Sequence, residues 1–299
     1  MKINTLVIIK RKPWFREAFR VKYSVFPDVW EKALFFAVFS FVICLLHSVG
    51  FPVQQPILSS LIPTIVLGLL LVFRTNSANE RFWEGRKLWG GIVNHLRNLT
   101  WQIWVNIKEE TPDDQEHKIN ALNLLTVFAI ATKNHLRSEG ISEEMRPLLS
   151  AYYYHHLQTS QHLPLQIAAY LGEYLQQEYQ KKHLNEYQLT NMQQLINQLM
   201  DMVGGCERIL KTPIPNSYSI HLKQLLLIYC LVLPFQLVDQ IEWWTIPFVS
   251  IVSYIVYGIE AIALEIENPF GRDRNDLPLD QICQAINQNI QDFILNQKR

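Results

Sequence analysis

A long uncharged run is the first pattern in the sequence. From Ala33 to Phe73 the chain has 41 consecutive residues without Lys, Arg, Asp or Glu. A helix needs only about 20 apolar residues to cross a bilayer, so the run predicts two spans that fold back on each other. The segment HSVGFPVQQP at 47–56 supplies the glycine and prolines of the turn. The predicted spans lie near residues 31–50 and 57–73.

A second uncharged pair follows towards the C-terminus. Gln224–Val238 and Trp243–Ile259 contain no charged residue and are joined by the short segment DQIEWW. The first of these is short, so Lys223 at its edge is expected to extend its long side chain to the membrane interface. The sequence therefore predicts four transmembrane helices in all.

Lysines and arginines mark one side of the predicted membrane. They precede the first span and follow the second and the fourth, whereas the hairpin tips at 47–56 and 239–242 contain none. Loops rich in Lys and Arg stay on the cytoplasmic side. This distribution predicts a multi-pass protein of the cell inner membrane, with both termini and the long middle segment in the cytoplasm.

The polar middle segment has the period of amphipathic helices. Apolar residues recur at intervals of three and four in LTVFAIATKNHLRSE, LPLQIAAYLGEYLQQEYQKK and LTNMQQLINQLMDMVGGCERIL. The last of these helices is expected to have Thr190 as its N-cap and to break or bend at Gly204–Gly205. One more amphipathic helix is predicted from about Leu279, and alternating strand patterns are missing.

These patterns predict an all-α membrane protein whose four transmembrane helices are continuous with a cytoplasmic helical domain. The predicted division is a cytoplasmic N-terminal segment 1–30, transmembrane helices 1 and 2 in 31–73, a cytoplasmic helical domain 74–219, transmembrane helices 3 and 4 in 220–264, and a cytoplasmic C-terminal tail 265–299.

Composition fits a membrane protein and excludes other classes. Hydrophobic residues make up 49% of the chain and charged residues 18%, below the usual quarter for a soluble domain. Lys+Arg and Asp+Glu balance at 27 each, so no basic field predicts a nucleic-acid partner. The four cysteines lie far apart without CxxC or zinc spacing, and they are expected to be free thiols.

Candidate enzymatic groups are few. His135, His155, His156 and His162 could suggest a metal site, but no HExxH pattern or acidic partner at helical spacing accompanies them. Adjacent histidines on a helix also point apart. These side chains are expected at a surface or an interface, and neither a catalytic residue nor a metal site is predicted. A coupled transporter would usually show repeats and charges within its spans, which this sequence lacks.

The helix that leaves the second span has the most specific pattern. Ile65, Leu69 and Phe73 recur at intervals of four, so they lie nearly in line on one helix face. Gly68 beside them lets a neighbouring helix approach closely. The chain then turns polar at Arg74 without a break, as expected for a helix that leaves the bilayer. From spacing alone, this line of residues could face lipid, a neighbouring helix or a pore.

Three segments resemble the bestrophin family, in its bacterial branch. They are FRTNSANERFWEGRKLWGG at 73–91, CERILKTPIP at 206–215 and EIENPFGRDRNDLPLD at 265–280. The resemblance implies a homopentameric ion channel whose second span lines one central pore. It also implies that Ile65, Leu69 and Phe73 form the narrow neck of that pore. Rings of such side chains cannot replace an ion's hydration shell, so a narrow ring blocks ions by dewetting.

The same resemblance implies a second constriction, a cytoplasmic aperture, which maps onto HLNEYQLT at 183–190. Leu184, Tyr187 and Leu189 are the candidates for it. Burial in the cytoplasmic core is the alternative for each of them.

Animal members of the family bind calcium through acidic residues that follow Asn-Pro-Phe-Gly. Here the corresponding run reads RDRND, which keeps Asp273 and Asp276 as candidate ligands. Calcium prefers six to eight oxygen ligands, and Arg272 and Arg274 oppose a cation in this loop. No cofactor is therefore expected, calcium included.

The sign of the permeant ion is open. The resemblance implies small monovalent ions, and the preferred interpretation is chloride and related anions such as bicarbonate. Arg74, as a vestibule charge beside the neck, favours anions, whereas Glu80 and Glu84 could reverse that preference. A sodium or potassium channel of the same architecture and a non-conducting membrane scaffold are the alternatives. The expected partners are further copies of the chain, membrane lipids and the permeant ions.

Overall fold

The computed structural model describes residues 24–53 and 61–297 together with Trp14 and Arg20; for Leu61 and Ile62 it describes the backbone alone. All regular elements in this part of the chain are helical, which confirms the predicted all-α class. The α-helices are α1 (Phe26–Ser48), α2 (Leu61–Asn106), α3 (Pro112–Leu136), α4 (Ala151–Gln158), α5 (Leu163–Gln180), α6 (Glu186–Lys211), α7 (Asn216–Ile241), α8 (Thr245–Glu267) and α9 (Leu279–Gln297), with 3₁₀ turns at Glu143–Leu148 and Glu242–Trp244.

The chain divides into two compact units. The first contains Met1–Ser77 and Ile214–Leu264, and the second contains Ala78–Pro213 and Glu265–Arg299. α2 is one unbroken helix that contributes its first turns to the first unit and its remainder to the second.

Two stretches of the described residues are long and apolar enough to cross a membrane. One is α1, and the other is the 52-residue stretch Asn216–Glu267, which comprises α7, a 3₁₀ turn and α8. At about 1.5 Å per residue, that stretch is more than twice the thickness of a bilayer's hydrocarbon core. α7 and α8 fold back on each other, because Cys230 of α7 belongs to the same buried cluster as Val249 and Tyr257 of α8.

The predicted spans and the helices differ mainly at their ends. α1 begins at Phe26 rather than near residue 31, with a proline in its first turn, where a missing amide hydrogen costs little. α7 and α8 contain the third and fourth predicted spans and extend beyond them. Of the second predicted span, residues 57–60 lie outside the described residues, and the rest forms the start of α2.

Each helix of the first unit contributes one buried face to its core. In α2 the apolar core residues are Leu67 and Leu71, which are four positions apart and therefore share a face. Phe36 of α1 stacks on Tyr257 of α8, with ring centroids 5.8 Å apart. The other core residues of this cluster are Val29, Leu222, Leu226, Cys230, Leu233 and Val249.

α3 is the central helix of the second unit. Every residue from Leu124 to Asn134 is buried, and α5, α6 and α9 pack around it. The helix starts at a capping box, in which the Thr111 hydroxyl accepts from the Asp114 amide and the Asp114 carboxylate accepts from the Thr111 amide. α2 packs into the same core through Trp89, Ile92, Leu96, Leu99 and Ile103, which recur at intervals of three and four.

The prediction of Thr190 as the N-cap of α6 is wrong. The helix begins at Glu186, and Asn185 is its N-cap, forming a capping box with Gln188. Asparagine is among the strongest N-cap residues, and a glutamine three positions later completes the box. Thr190 therefore lies within the first turns of the helix.

The predicted break at Gly204–Gly205 is wrong, because α6 continues to Lys211; the predicted alternative, a bend, stays a prediction. The two glycines have different surroundings. A Cβ at Gly205 would lie 2.8 Å from a methyl carbon of Leu88 on α2, whereas nothing lies within 4 Å of a Cβ at Gly204. Gly205 is therefore a point of close contact between α6 and α2.

All four cysteines are free and buried, which confirms the prediction of free thiols. In the second unit, burial raises the pKa of Cys206 and of Cys283 to about 12. These thiols remain protonated at neutral pH and act as apolar packing groups.

Gly205→Ala should destabilise the protein relative to Gly204→Ala. Both changes gain helix propensity, but only the first forces a methyl group against Leu88. Overpacking of this kind costs about 1–3 kcal/mol, so the Tm of purified Gly205→Ala should fall below that of Gly204→Ala. Equal Tm values for the two neighbours would contradict the close contact.

Candidate functional site

Ile65, Leu69 and Phe73 point away from the core of their own unit. Their side chains are 59%, 53% and 60% exposed, whereas Leu67 and Leu71, on the other side of α2, are buried. We call the side of α2 formed by these three residues the neck face. An uncovered apolar stripe indicates an interaction with lipid, another protein surface or a pathway. The role of the three residues as a pore neck stays a prediction.

The charges next to the neck face differ in their exposure. Arg74, the predicted vestibule charge, is only 2% exposed. At about 100° per residue it lies on the side of α2 opposite the neck face, whereas Glu80 continues that face. Glu80 is exposed, and Glu84 is paired with Arg208 at 2.5 Å. The first charged side chain on the neck face after Phe73 is therefore acidic.

The three aperture candidates are in different environments. Leu184 and Leu189 belong to the buried core of the second unit, which favours the packing alternative. Tyr187, in the first turn of α6, is 87% exposed. The aperture stays a prediction, and Tyr187 is the candidate whose side chain is available to a pathway.

The three segments that resemble the bestrophin family meet in the second unit around Arg81. The guanidinium of Arg81 donates to the carbonyl oxygens of Ile209 at 2.5 Å, Thr212 at 2.6 Å and Glu267 at 3.0 Å. These acceptors lie at the C-terminal ends of α6 and α8, where helices have carbonyls without intrahelical partners. Arg81 thus joins three stretches that are far apart in sequence.

Gly85, one turn after Arg81, is the second contact between these segments. A Cβ at this position would lie 2.9 Å from a ring carbon of Pro269 and 3.0 Å from the ring of Phe270. Phe270 is fully buried. The Asn-Pro-Phe-Gly turn therefore packs directly on the backbone of α2, and only glycine allows this approach.

The loop that follows this turn uses one of its own carboxylates. Asp276 accepts a hydrogen bond from the Asp273 amide at 2.7 Å. Burial raises the pKa of Asp276 to about 6; the Asp273 amide opposes this, and the charges of Asp273 and Glu265 add to it. Arg272 pairs with Glu139 at 2.7 Å. With one candidate ligand engaged in the turn and the other exposed, the absence of calcium stays a prediction.

Two clusters of side chains in the second unit have the chemistry of metal ligands. In one, Asp114, Glu178 and His183 come together, and the ammonium of Lys181 lies 3.0 Å from Asp114 and 2.9 Å from Glu178. The hydrogen bonds of Thr111 and Lys181 lower the pKa of Asp114. Lys181 already supplies the positive charge there.

The second cluster consists of His135, His162 and Glu207. Burial alone would raise the pKa of Glu207, but hydrogen bonds from Lys211, His135 and His162 outweigh it and lower the pKa to about 2. No acidic residue at helical spacing from the histidines belongs to this cluster, so the sequence pattern did not indicate it. Glu207 lies 72 residues from His135 and 45 from His162, so no local spacing could reveal it.

Asp276→Asn should stabilise the protein at neutral pH. Because burial raises the pKa of this carboxyl from 3.8 to about 6, its contribution to stability is present below pH 3.8 and lost as the pH rises through about 6. Asparagine keeps an acceptor for the Asp273 amide and has no charge. The Tm should rise at about pH 7.5 and rise less at about pH 5. Asp273→Asn, at an exposed position, is the control, and a gain independent of pH would contradict the assignment.

Comparison with known proteins identifies the family of the chain. The profile described as Bacterial/Fungal Bestrophin protein matches residues 7–292. A voltage-dependent anion channel-forming protein of Nostoc sp. is 54% identical over 285 residues, covering 95% of this chain and 93% of that protein. A protein of the same description from Synechocystis sp. is 49% identical over 281 residues, covering 94% of this chain and 92% of that protein.

Solved structures agree with this relationship. A crystal structure of a mutated membrane protein matches with a TM-score of 0.81 at 25% identity, covering 89% of this chain and 98% of that chain. A mutated bacterial bestrophin homologue from Klebsiella pneumoniae shares the fold, with a TM-score of 0.80 at 24% identity and coverage of 89% and 98%. One family profile matches nearly the whole chain, and the Nostoc relative is 54% identical over 93% of its own length. These matches confirm the resemblance: the chain belongs to the bacterial and fungal bestrophin family.

Proposed function

We propose that five copies of the chain form an ion channel in the cell inner membrane. The channel conducts small monovalent anions, chloride foremost, through a hydrophobic neck of Ile65, Leu69 and Phe73. The proposal depends on the exposed apolar neck face of α2 in a chain of the bestrophin family. The relatives from Nostoc and Synechocystis are named anion channel-forming proteins, which supports conduction and anion preference.

The proposed topology has four spans, formed by α1, the start of α2, α7 and α8, with both termini in the cytoplasm. The hairpin tips at 47–56 and 239–242 have no lysine or arginine, which supports this orientation. The second unit, with its many ion pairs, is then assigned to the cytoplasm.

The neck controls conduction through water rather than through ion binding. Rings of isoleucine, leucine and phenylalanine offer no oxygen or charge, so a narrow ring expels water and blocks ions, and slight widening admits both. Selectivity then depends on how readily an ion sheds water and on the charges that line the path beside the neck.

A monovalent cation channel of the same architecture is the second candidate. Arg74 is buried on the side of α2 opposite the neck face, and the exposed Glu80 continues that face. A ring of carboxylates near a pore attracts cations. This arrangement opposes the anion preference that the names of the relatives support.

Reconstitution of the purified protein into liposomes and planar bilayers tests conduction. Ion flux distinguishes a channel from a non-conducting scaffold. A unitary current too large for a carrier excludes a transporter. Absence of flux from correctly assembled protein would overturn the proposal.

Leu69→Ala should raise open conductance or leak by at least about twofold, because it widens the middle ring of the neck and lets it stay wet. Ile251→Ala on α8 is the matched control, since Ile251 is 59% exposed and Leu69 is 53% exposed. Planar-bilayer recordings compare the two variants with the parent protein. Unchanged currents in Leu69→Ala, or equal changes in both variants, would remove Leu69 from the neck.

Glu80→Gln should move the reversal potential in a KCl gradient towards the chloride equilibrium potential, because it removes a carboxylate from each subunit near the path. Glu173→Gln, on the exposed side of α5, removes the same charge elsewhere and should leave the reversal potential unchanged. The reversal potential of the parent protein decides between anion and cation preference. No shift in Glu80→Gln would mean that Glu80 lies away from the path.

A further inference from the structure

Three distant side chains converge on one point in the second unit. His135 near the end of α3 places Nε2 2.7 Å from Oε1 of Glu207 on α6. His162, just before α5, places Nε2 2.9 Å from the same oxygen. The two imidazole rings stack with centroids 4.3 Å apart, so both nitrogens approach Glu207 from one side.

We propose that His135, His162 and Glu207 form a binding site for a transition-metal ion, with zinc as the ion that fits best. Their ligand atoms all lie within 4.8 Å of one another. Two imidazole nitrogens and one carboxylate oxygen are a known zinc ligand set, in which water or another ligand takes the fourth position. Zinc binding at these three residues does not require that the protein is a channel.

The surroundings of the site suit an exchangeable ion. All three side chains are partly buried and keep some exposure to solvent, from which an ion and a water ligand could reach them. Lys211 contacts the other carboxylate oxygen, Oε2, at 2.9 Å, and its side chain is largely exposed. Its ammonium orients the carboxylate from outside and can move into solvent when a cation binds. Hard ions such as magnesium and calcium prefer all-oxygen sites and are disfavoured here.

Metal binding requires a change of proton position at both histidines, because each Nε2 donates to the Glu207 carboxylate and must lose that proton to coordinate an ion. His162 also caps α5, since its Nδ1 accepts from the Leu165 amide at 3.2 Å, so the neutral ring holds its proton on Nε2. Coordination through Nε2 moves that proton to Nδ1 and removes the capping hydrogen bond. This bond is at the long end of the range, so its loss is small beside a metal–nitrogen bond.

The cluster around Asp114 shows by contrast why this site is selected. There the Lys181 ammonium lies between the carboxylates of Asp114 and Glu178 and pairs with both of them. A metal ion would have to displace it. At Glu207 the lysine contacts only the oxygen that faces away from the histidines, and the oxygen they share is the one that would bind the metal.

Occupancy of the site fixes a segment of α6 that contacts α2. Arg208, next to Glu207, pairs with Glu84 at 2.5 Å, and the carbonyl of Ile209 accepts from Arg81. An ion bound to Glu207 would therefore tie α3 and the start of α5 to the part of α6 that holds α2.

Titration of the untagged, full-length protein in detergent with zinc tests the proposal. We expect saturable binding by calorimetry and a rise in Tm at micromolar zinc, because an ion that binds only the folded state stabilises it. Magnesium or calcium at the same concentration should give neither. Cobalt, which replaces zinc in such sites, should give visible absorption typical of a four-coordinate complex, and this readout needs no mutation.

His135→Ala and His162→Asn should each weaken zinc binding by at least about tenfold. Asparagine keeps an acceptor for the Leu165 amide, so His162→Asn separates metal binding from helix capping. His155→Ala, at an exposed histidine outside the cluster, should bind zinc like the parent protein. The proposal is overturned if the parent protein gives neither a calorimetric heat of zinc binding nor the visible absorption of bound cobalt. It is also overturned if both variants bind zinc with unchanged affinity.

Discussion

The C-terminal ends of α6 and α8 present backbone carbonyls at one place, and Arg81 of α2 is the group that satisfies them. Helix ends buried without donors are costly, because each unpaired carbonyl loses its water without gaining a partner. A guanidinium suits this role since its planar fork donates in several directions and stays charged at any physiological pH. A positive charge is also favourable at the negative end of a helix dipole. A lysine at this position would have one compact ammonium group, which is less suited than a guanidinium to donate to three separate carbonyl oxygens.

The packing around this arginine depends on the same geometry. Gly85 allows the Asn-Pro-Phe-Gly turn to approach α2, and Gly205 allows α6 to approach Leu88. Both glycines lie within unbroken helices, so their role is the space they leave rather than a turn they make. This explains why the pair Gly204–Gly205 does not end α6, although glycine pairs often mark a helix end.

Patterns that depend on neighbouring residues could be predicted from the sequence, and contacts between distant residues could not. The uncharged runs, the helical period of α5 and the start of α9 at Leu279 follow from local chemistry, and the structure has them. The N-cap of α6 was missed because Thr190 and Asn185 both suit that role, and the structure forms the capping box at Asn185. The joining of α6 and α8 by Arg81, and the cluster around Glu207, require segments that only the folded chain brings together.

The candidate ion path shows how one residue changes the environment of a side chain. Phe73 and Arg74 are adjacent, yet one is exposed and the other is buried, since each step along a helix turns the side chain by about 100°. The sequence places a cation beside the neck face, but the register of α2 directs it into the subunit. Which charges face a path therefore depends on the side of the helix as well as on their order along the chain.

The buried state of all four cysteines has a practical consequence. A thiolate is the reactive form, and in the second unit both thiols stay protonated at neutral pH. A single cysteine introduced on the neck face, for example by Leu69→Cys, would then be the accessible thiol of a chain that keeps its own four. Water-soluble methanethiosulfonate reagents could report the accessibility of that face in the assembled protein without a cysteine-free background.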